Sequence, residues 1–184
     1  MARGRPSKKG LISDAALNLF KVAGYQGTSI DQVVLEAAVS KPTVYSNYPS
    51  KLLLWQEVLR QIIERSALQL AQLETSLKQS SCRFSDGWLA IWQTWSTADD
   101  RLAAYRIHWG EQHKLSQDEQ HLFDSLEAEL VGCLKRWLAL HGLAESYFFT
   151  LFAVSREAYL LPAIRQRQSE CVNLAQLIEK LVET

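Results

Sequence analysis

The sequence predicts an all-α protein that joins an N-terminal three-helix helix-turn-helix head to a longer helical body. Helix breakers are few, with 8 glycines and 4 prolines among 184 residues, and the strong helix formers Leu, Ala, Gln and Glu are common. Apolar residues recur at steps of three and four along most of the chain, which is the period of an amphipathic helix. Hydrophobic residues make up 47% of the chain, enough to bury a core.

The charges are unevenly divided along the chain, although the net charge is zero. Residues 1–51 hold seven Lys or Arg and three acids, a net charge of +4, and the remainder carries a net charge of −4. A basic head on an acidic body is expected when one end of a protein meets nucleic acid or an anionic surface.

The cysteines, histidines and apolar runs give no sign of a cofactor, a metal site or a membrane span. Cys82, Cys133 and Cys171 are odd in number and far apart, so neither a disulfide framework nor a metal-ligand spacing is present. The histidines form no metal-binding pair, and no glycine-rich phosphate loop or nucleophile motif occurs. The apolar runs are too short to span a bilayer, and the N-terminus lacks a secretory signal. We predict no catalytic residues, no cofactor and a cytoplasmic location.

Helix starts and stops divide the head into three helices. Gly24 ends the first helix, because glycine readily adopts a positive φ. Thr28 or Ser29 begins the second, since each hydroxyl is followed three residues later by a capping-box partner. Ser40 is the predicted N-cap of a third, short helix with Pro42 in its first turn. The apolar positions that predict the first helix are Ile12, Ala15, Ala16, Leu19, Phe20 and Ala23.

The short link between the second and third helices is typical of a helix-turn-helix. Pro49 stops the third helix, and Ser50 caps a long fourth helix that runs to about Lys78. The predicted organisation is a basic arm over residues 1–9, a helix-turn-helix domain over 10–50 and a helical body over 51–184.

Residues 40–51, "SKPTVYSNYPSK", are too polar for a core and too aromatic for an ordinary solvated loop. A recognition helix must present donors, acceptors and methyl groups to base edges, while its flanks offer hydroxyls and cations to phosphates. Val44 and Tyr48 lie four apart and are predicted to face the core. A capped turn whose tyrosines pack locally is the structural alternative. The predicted outward side chains are Lys41, Pro42, Thr43, Tyr45, Ser46 and Asn47.

Residues 12–53, with "AALNLF", "GYQGTS" and "VSKPTVYSNYPSK", resemble the DNA-binding domain of the tetracycline-repressor (TetR) family of bacterial transcriptional regulators. The resemblance implies a dimer whose heads bind operator DNA and whose bodies hold a small-molecule inducer. It implies that Thr28 touches a phosphate and that Tyr45, Asn47 and Lys51 bind phosphates. The residues that it implies face bases are Lys41, Pro42, Thr43 and Ser46.

Several positions depart from the family pattern, among them Val34, Ala38, Pro42, Asn47 and Tyr48. Ala38 stands at the usual turn glycine, and Pro42 replaces a common glycine. Ala38 alters the turn and Pro42 alters the surface that faces the bases, while the apolar frame of the domain stays intact. These departures are therefore expected to change base preference more than fold.

The N-terminal "RGRP" is a second DNA-binding signal. Arginines that flank a glycine can lie in the narrow, electronegative minor groove of A·T-rich DNA. Arg3 and Arg5 are therefore DNA-binding candidates, and a solvated basic tail is the alternative.

Five further helices are predicted in the body beyond helix 4. They correspond to "SDGWLAIWQTWS", to "DRLAAYRIHWGEQH" capped by Asp99 or Asp100, to residues 117–140 ended by Gly142, to "ESYFFTLFAVSREAYLLPAI" and to "CVNLAQLIEKLVET". Aromatic residues at helical spacing in the first two either form core or line an apolar ligand pocket. The candidate pocket residues are Trp88, Trp92, Trp95, Tyr105, His108, Trp109 and Phe152.

The segment from Tyr147 to Leu161 is apolar on nearly every side and must be buried all round. With the last helix, it predicts a four-helix dimer interface, and a central helix of a monomeric bundle is the alternative. The candidate interface residues are Phe148, Leu151, Ser155, Tyr159, Leu174, Leu177, Ile178 and Leu181.

Together these features predict a homodimeric, ligand-responsive regulator, most simply a repressor that leaves a palindromic operator when a small molecule occupies its body. Its partners would be double-stranded operator DNA, a small effector and a second copy of the chain. A DNA-bound protein whose body docks another protein is the alternative, and a small helical enzyme or carrier is a third hypothesis.

Overall fold

The computed structural model describes residues 7–111, 113, 116–167 and 173–182, and these form α-helices without a strand. The helices begin and end close to the predicted positions, and α7 has the predicted bounds. The elements are α1 Lys8–Gly27, α2 Ile30–Glu36, α3 Lys41–Asn47, α4 Lys51–Ser80, α5 Phe84–Ser96, α6 Asp99–Glu111, α7 Gln117–Leu140, α8 Ser146–Ser155, a π-helical turn Arg156–Leu160, α9 Leu161–Ile164 and α10 Leu174–Val182.

The chain divides into two compact units, and the division differs from the predicted domain boundary. Unit 1 comprises Met1–Ile62 and Ala103–Phe123, and unit 2 comprises Ile63–Leu102 and Asp124–Thr184. The division therefore falls within α4, α6 and α7 rather than at the start of α4. Helix periodicity could not reveal this, because a long helix carries the same apolar repeat on both sides of such a point.

The core of unit 1 is built around Phe20 of α1, which is 1% exposed. Its ring meets Trp55 of α4 edge-on at 5.2 Å between centroids and lies 5.8 Å from Tyr25. Gly24 has a φ of +70° and interrupts α1 at the predicted end, but the helix resumes and continues to Gly27. The helix starts earlier than predicted, because the Ser7 side chain accepts a hydrogen bond from the Gly10 N–H, so Lys8 and Lys9 of the predicted arm are helical.

The core of unit 2 contains a close approach between α5 and α7. A Cβ added to Gly87 would come within 2.1 Å of the Trp137 ring, so only glycine fits there without displacing a buried indole. The Trp137 N–H donates to the Phe84 carbonyl at 3.0 Å. Gly142 ends α7 with a φ of +68°, as predicted.

The apolar segment predicted as one helix is interrupted by a π-helical turn between α8 and α9. Pro162 has no N–H and its ring collides with the carbonyl four residues earlier, so a regular α-helical bond to Ala158 cannot form. The Leu161 N–H instead donates to Arg156 five residues back, which widens the turn.

The two cysteines among the described residues are buried or half-buried. Burial raises the pKa of the Cys133 thiol to about 11, so it is not a reactive thiolate. Cys82 is half-buried, and Cys171 lies outside the described residues. Over the described ranges of the whole chain, no three His, Cys, Asp or Glu residues are grouped to hold a metal ion. The described helices include none long and apolar enough to cross a membrane.

Candidate DNA-binding surface

The α2–α3 unit is fixed by local caps at both helix starts. Ser29, rather than Thr28, is the N-cap of α2: its side chain accepts from the Gln32 N–H, and the Gln32 side chain accepts from the Ser29 N–H at 2.7 Å. Ser40 caps α3 by accepting from the Thr43 N–H. Between the helices Ala38 has a φ of +51°, the left-handed conformation that glycine adopts without strain. These contacts set the geometry of the turn.

Two side chains anchor α3 to unit 1, as predicted. Val44 is fully buried and Tyr48 is 3% exposed. The Tyr48 hydroxyl donates to the Lys9 carbonyl at 3.3 Å, and the Lys9 ammonium lies 5.8 Å from the Tyr48 ring centroid. Burial is the main reason that the pKa of Tyr48 is raised. The inward side of α3 is therefore fixed by contacts with α1.

The opposite side of α3 is open to solvent. Lys41, Pro42, Tyr45 and Ser46 are exposed, and the Tyr45 side chain keeps 43% of its accessible surface although it is aromatic. Packing within the chain does not explain why Pro42 and Tyr45, three positions apart, are both exposed. They make an outward surface that combines a cation, hydroxyls and apolar edges.

Thr43 organises the polar groups of this surface. Its hydroxyl lies 2.7 Å from the Ser40 hydroxyl. Its carbonyl accepts from the Ser46 hydroxyl at 2.9 Å and from the Asn47 amide at 2.8 Å. These short-range bonds hold the side chains in defined orientations, which reduces the entropy that any binding would otherwise cost.

Lys41 forms an ion pair that the sequence did not reveal. Its ammonium lies 2.7 Å from Oδ1 of Asp31 in the first turn of α2. The hydrogen bond that the ammonium donates to Asp31 is the first cause of the raised pKa of Lys41, so the ammonium keeps its charge. A salt bridge between residues ten apart depends on the turn between α2 and α3, which periodicity does not describe.

Thr28 and Lys51 have internal partners that sequence reasoning missed. The Thr28 hydroxyl donates to the Gly24 carbonyl at 2.8 Å, and the residue is 1% exposed. The Lys51 ammonium donates to the carbonyls of Tyr25 at 2.9 Å and Thr28 at 3.0 Å, and it lies 4.4 Å from the Tyr25 ring centroid. Both side chains therefore hold the end of α1, and the buried Thr28 hydroxyl is closed to a phosphate in this arrangement. Arg3 and Arg5 lie outside the described residues.

The head matches a known family of regulators. The family model described as bacterial regulatory proteins, tetR family, matches residues 12–58, which include all of α2, the turn, α3 and the start of α4. The head is a tetR-family DNA-binding domain. The resemblance stated from the sequence is confirmed.

Two curated relatives match part of the chain. The transcriptional regulator RutR of Escherichia coli strain K12 is 40% identical over 63 residues, 34% of this chain and 30% of RutR. The transcriptional repressor ComR of the same organism is 29% identical over 110 residues, 58% of this chain and 52% of ComR. The chain thus spans only part of the length of these relatives, 30% of RutR and 52% of ComR.

Solved structures share the fold of this chain over nearly its full length. A TetR-family transcriptional regulator from Mesorhizobium loti aligns with a TM-score of 0.72 at 19% identity, covering 96% of this chain and 93% of that one. The multidrug-binding protein EbrR, complexed with imidazole, aligns with a TM-score of 0.67 at 16% identity, covering 97% and 96%. The predicted fold, an N-terminal helix-turn-helix domain with a helical C-terminal domain, is confirmed.

The aromatic residues predicted to line one pocket are divided between the two units of the chain. Trp88, Trp92, Trp95 and Phe152 belong to unit 2, whereas Tyr105, His108 and Trp109 belong to unit 1. In unit 1, Phe123 stacks on His108 at 3.8 Å and meets Tyr105 edge-on at 5.0 Å.

The aromatic cluster of unit 2 combines paired and unpaired indole groups. The three tryptophans of α5 are fully buried. The Trp88 N–H donates to the Ser155 hydroxyl at 2.8 Å, and Trp92 packs against Phe152 at 5.2 Å. The buried Trp92 N–H has no hydrogen-bond partner among the described residues. A buried donor without an acceptor is costly and usually has a reason.

Arg101 is a further feature of unit 2 that sequence reasoning did not select. Its side chain is 2% exposed. It donates to the Thr94 carbonyl at 2.6 Å, the Trp95 carbonyl at 3.1 Å, the Ser66 hydroxyl at 3.2 Å and the Gln69 side chain at 2.9 Å. This buried guanidinium ties the end of α5 to α4, so we regard it as structural.

The predicted interface residues separate into core and surface. Leu151, Ser155, Leu174 and Ile178 are buried inside unit 2. A side chain enclosed by its own unit offers no surface to a second molecule, so we reassign these four to the core. The side chains that keep accessible surface are Phe148, Tyr159, Leu177 and Leu181, and Phe149, which was not predicted, is 81% exposed.

Proposed function

We propose that this protein is a DNA-binding transcriptional repressor that reads an operator with α3. The observation that carries the proposal is the two-sided build of α3 within a tetR-family domain. Val44 and Tyr48 are buried on one side, while a cation, hydroxyls, a proline and an aromatic ring are exposed on the other. This division is what a recognition helix requires, because its inner face must be held while its outer face enters the major groove.

The proposed contacts divide into base readers and phosphate binders. Lys41, Pro42, Thr43 and Ser46 face bases. Tyr45 and Asn47 bind phosphates, which position the head without reading sequence. Lys51 joins them through the third N–H of its ammonium, because two are used on the Tyr25 and Thr28 carbonyls. We omit the Thr28 hydroxyl because it is buried.

We further propose that the repressor is a homodimer paired through unit 2. The support is the apolar surface of α8 and α10, where Phe149 is 81% and Leu177 is 37% exposed. Apolar surface of this kind on a helix is explained by association. Two-fold pairing would let two recognition helices meet successive major grooves about 34–36 Å apart.

A small effector bound in unit 2 would control the dimer. The support is the buried aromatic cluster around Trp92, whose N–H lacks an acceptor among the described residues, and the structural likeness to EbrR, a multidrug-binding protein. An effector shifts the dimer away from its DNA-binding arrangement only by its difference in affinity for the two states.

Selection from a randomised duplex library by the purified full chain tests the DNA-binding proposal. We expect enrichment of a two-fold-symmetric sequence whose affinity falls steeply with salt, since phosphate contacts release counterions. Equal affinity for selected and scrambled duplexes would overturn it. A protein partner on the Phe149 surface, in place of a second copy, would show as a monomer in sedimentation that binds only one half-site.

A further inference from the structure

Asp31 is an exposed acid of α2 whose carboxylate pairs with a lysine of α3. It lies in the first turn of α2, and Lys41 is the first residue of α3. Asp31 Oδ1 lies 2.7 Å from the Lys41 ammonium, and the two side chains keep 70% and 51% of their accessible surface. The pair therefore projects into solvent on the surface that the proposed function assigns to DNA.

Stability does not account for an ion pair this exposed. Water and salt screen such pairs strongly, and holding two side chains in one geometry costs conformational entropy. A carboxylate also opposes DNA phosphates, so a surface optimised only for affinity would lack it. The pair is better explained by what it presents: a donor and an acceptor next to each other and facing outward.

One base-pair edge has the complementary pattern at the same spacing. In a G·C pair, guanine O6 accepts and cytosine N4 donates, and the second N4 hydrogen points into the major groove. These two atoms are joined by a Watson–Crick hydrogen bond, so they are about 2.9 Å apart. The Lys41 ammonium and the Asp31 carboxylate oxygen, 2.7 Å apart, match that spacing with opposite polarity.

We propose that Asp31 and Lys41 together read one G·C base pair in each half-site. Lys41 donates to guanine O6 and N7, and Asp31 accepts from cytosine N4. The inference rests on the proposed DNA binding, and it adds a specificity-determining residue from α2 to a surface otherwise assigned to α3.

The other three base pairs fit this couple less well. In C·G and A·T, an amine donor faces the Lys41 ammonium. In T·A, the carbonyl and the amine are correctly placed, but a methyl group replaces the second acceptor that N7 of guanine provides. The predicted order of preference at this position is G·C, then T·A, then the remaining two.

The test uses the duplex selected by the full-length wild-type protein, with every base pair of a half-site replaced in turn by the other three. Affinities are measured by fluorescence anisotropy for wild type, Asp31→Asn, Lys41→Met and the control Glu36→Gln. Glu36 is also an exposed acid on α2, so its variant removes the same charge outside the couple. Far-ultraviolet circular dichroism verifies that each variant is folded.

For wild type, we expect one G·C position at which replacement weakens binding by about 5- to 150-fold, the range for a good bidentate base contact. Asp31→Asn and Lys41→Met should reduce the difference in affinity among the four base pairs at that position to within about threefold. The preferences at the other positions should stay unchanged. Asp31→Asn should also tighten binding to scrambled DNA and steepen its salt dependence, because Lys41 is freed for a phosphate. Glu36→Gln should keep the wild-type profile.

An unchanged profile in Asp31→Asn would overturn the inference, as would a loss spread evenly over all positions or a flattened position that is not G·C. The proposed function would survive each of these results. If wild type prefers no duplex over scrambled DNA, the proposed function fails and this inference fails with it.

Discussion

Helices α3 and α5 both carry aromatic and hydroxyl side chains, but α3 leaves them at the surface whereas α5 buries most of them. In α3, only Val44 of Lys41–Asn47 is buried. The side chains of Thr43, Ser46 and Asn47 bond to residues three or four positions away. In α5, all three tryptophans are buried, and Trp88 bonds to Ser155, 67 positions away.

The contrast indicates that local contacts define α3 and distant packing defines α5. Substitutions in α5 should therefore change stability, whereas outward substitutions in α3 should change binding and leave stability nearly unchanged. The following variants test that division, in order of the expected effect on the free energy of unfolding.

Trp88→Ala should lower the free energy of unfolding by about 4 kcal/mol, because it removes a fully buried indole and leaves a cavity. Trp88→Phe is the matched control and should cost about 1–3 kcal/mol, mainly because the Ser155 hydroxyl loses its donor. Urea denaturation followed by circular dichroism gives both values. A loss below about 1 kcal/mol for Trp88→Ala would contradict tight packing around α5.

Gly87→Ala should destabilise the protein by about 2–3 kcal/mol, since the new methyl group would overlap the Trp137 ring. Gly110→Ala provides the opposite control. Apart from its chain neighbours and its own helix backbone, no described atom lies within 4 Å of its added Cβ, so the lower flexibility of alanine should raise stability by about 0.5–1 kcal/mol. Thermal unfolding of the two variants side by side tests this, and equal shifts of the same sign would refute it.

Lys51→Met should cost about 1.5–2 kcal/mol, because two carbonyls at the end of α1 lose hydrogen bonds from a charged donor. Lys41→Met removes the same charge from an exposed pair and should change stability by less than about 0.5 kcal/mol. The comparison is made by urea denaturation at moderate salt. If both variants lose the same free energy of unfolding, the hydrogen bonds from Lys51 do not stabilise the end of α1.

Ala38→Gly should stabilise the protein by about 1 kcal/mol, since glycine adopts the φ of +51° at this turn without the steric cost that alanine has. Ala37→Gly is the control: its φ is −77°, and the added flexibility should cost about 0.5–1 kcal/mol. Opposite shifts in the unfolding midpoint are expected. A destabilised Ala38→Gly variant would show that the turn is not strained.

Local signals in the sequence predicted α3 well. Ser40, Pro42, Val44 and Tyr48 have their predicted places as cap, first-turn residue and core anchors. Each of these predictions needs only a few neighbouring residues, because caps, proline positions and helical spacing act over one turn.

Features that depend on distant residues were missed. The helical spacing of apolar residues could not show that the Lys51 ammonium would bond to carbonyls at the end of α1. Nor could it show that Phe152 and Tyr105 would belong to different units. The sequence also could not show that Leu151 and Ile178 are buried within their own unit. An apolar position has the same sequence pattern whether a neighbouring helix or a second molecule covers it.

Tyr45→Phe and Tyr48→Phe, each measured for stability and for affinity to the selected duplex, test the two-sided build of α3 most directly. Each removes one hydroxyl, from an exposed ring in Tyr45 and from a buried ring in Tyr48. The account predicts that Tyr45→Phe weakens DNA binding about tenfold with stability unchanged, since a hydrogen bond to a charged phosphate is lost. Tyr48→Phe should cost about 1 kcal/mol of stability, because its bond to the Lys9 carbonyl is lost, and should bind with nearly wild-type affinity. Wild-type affinity in Tyr45→Phe, or a loss of stability there equal to that of Tyr48→Phe, would contradict it.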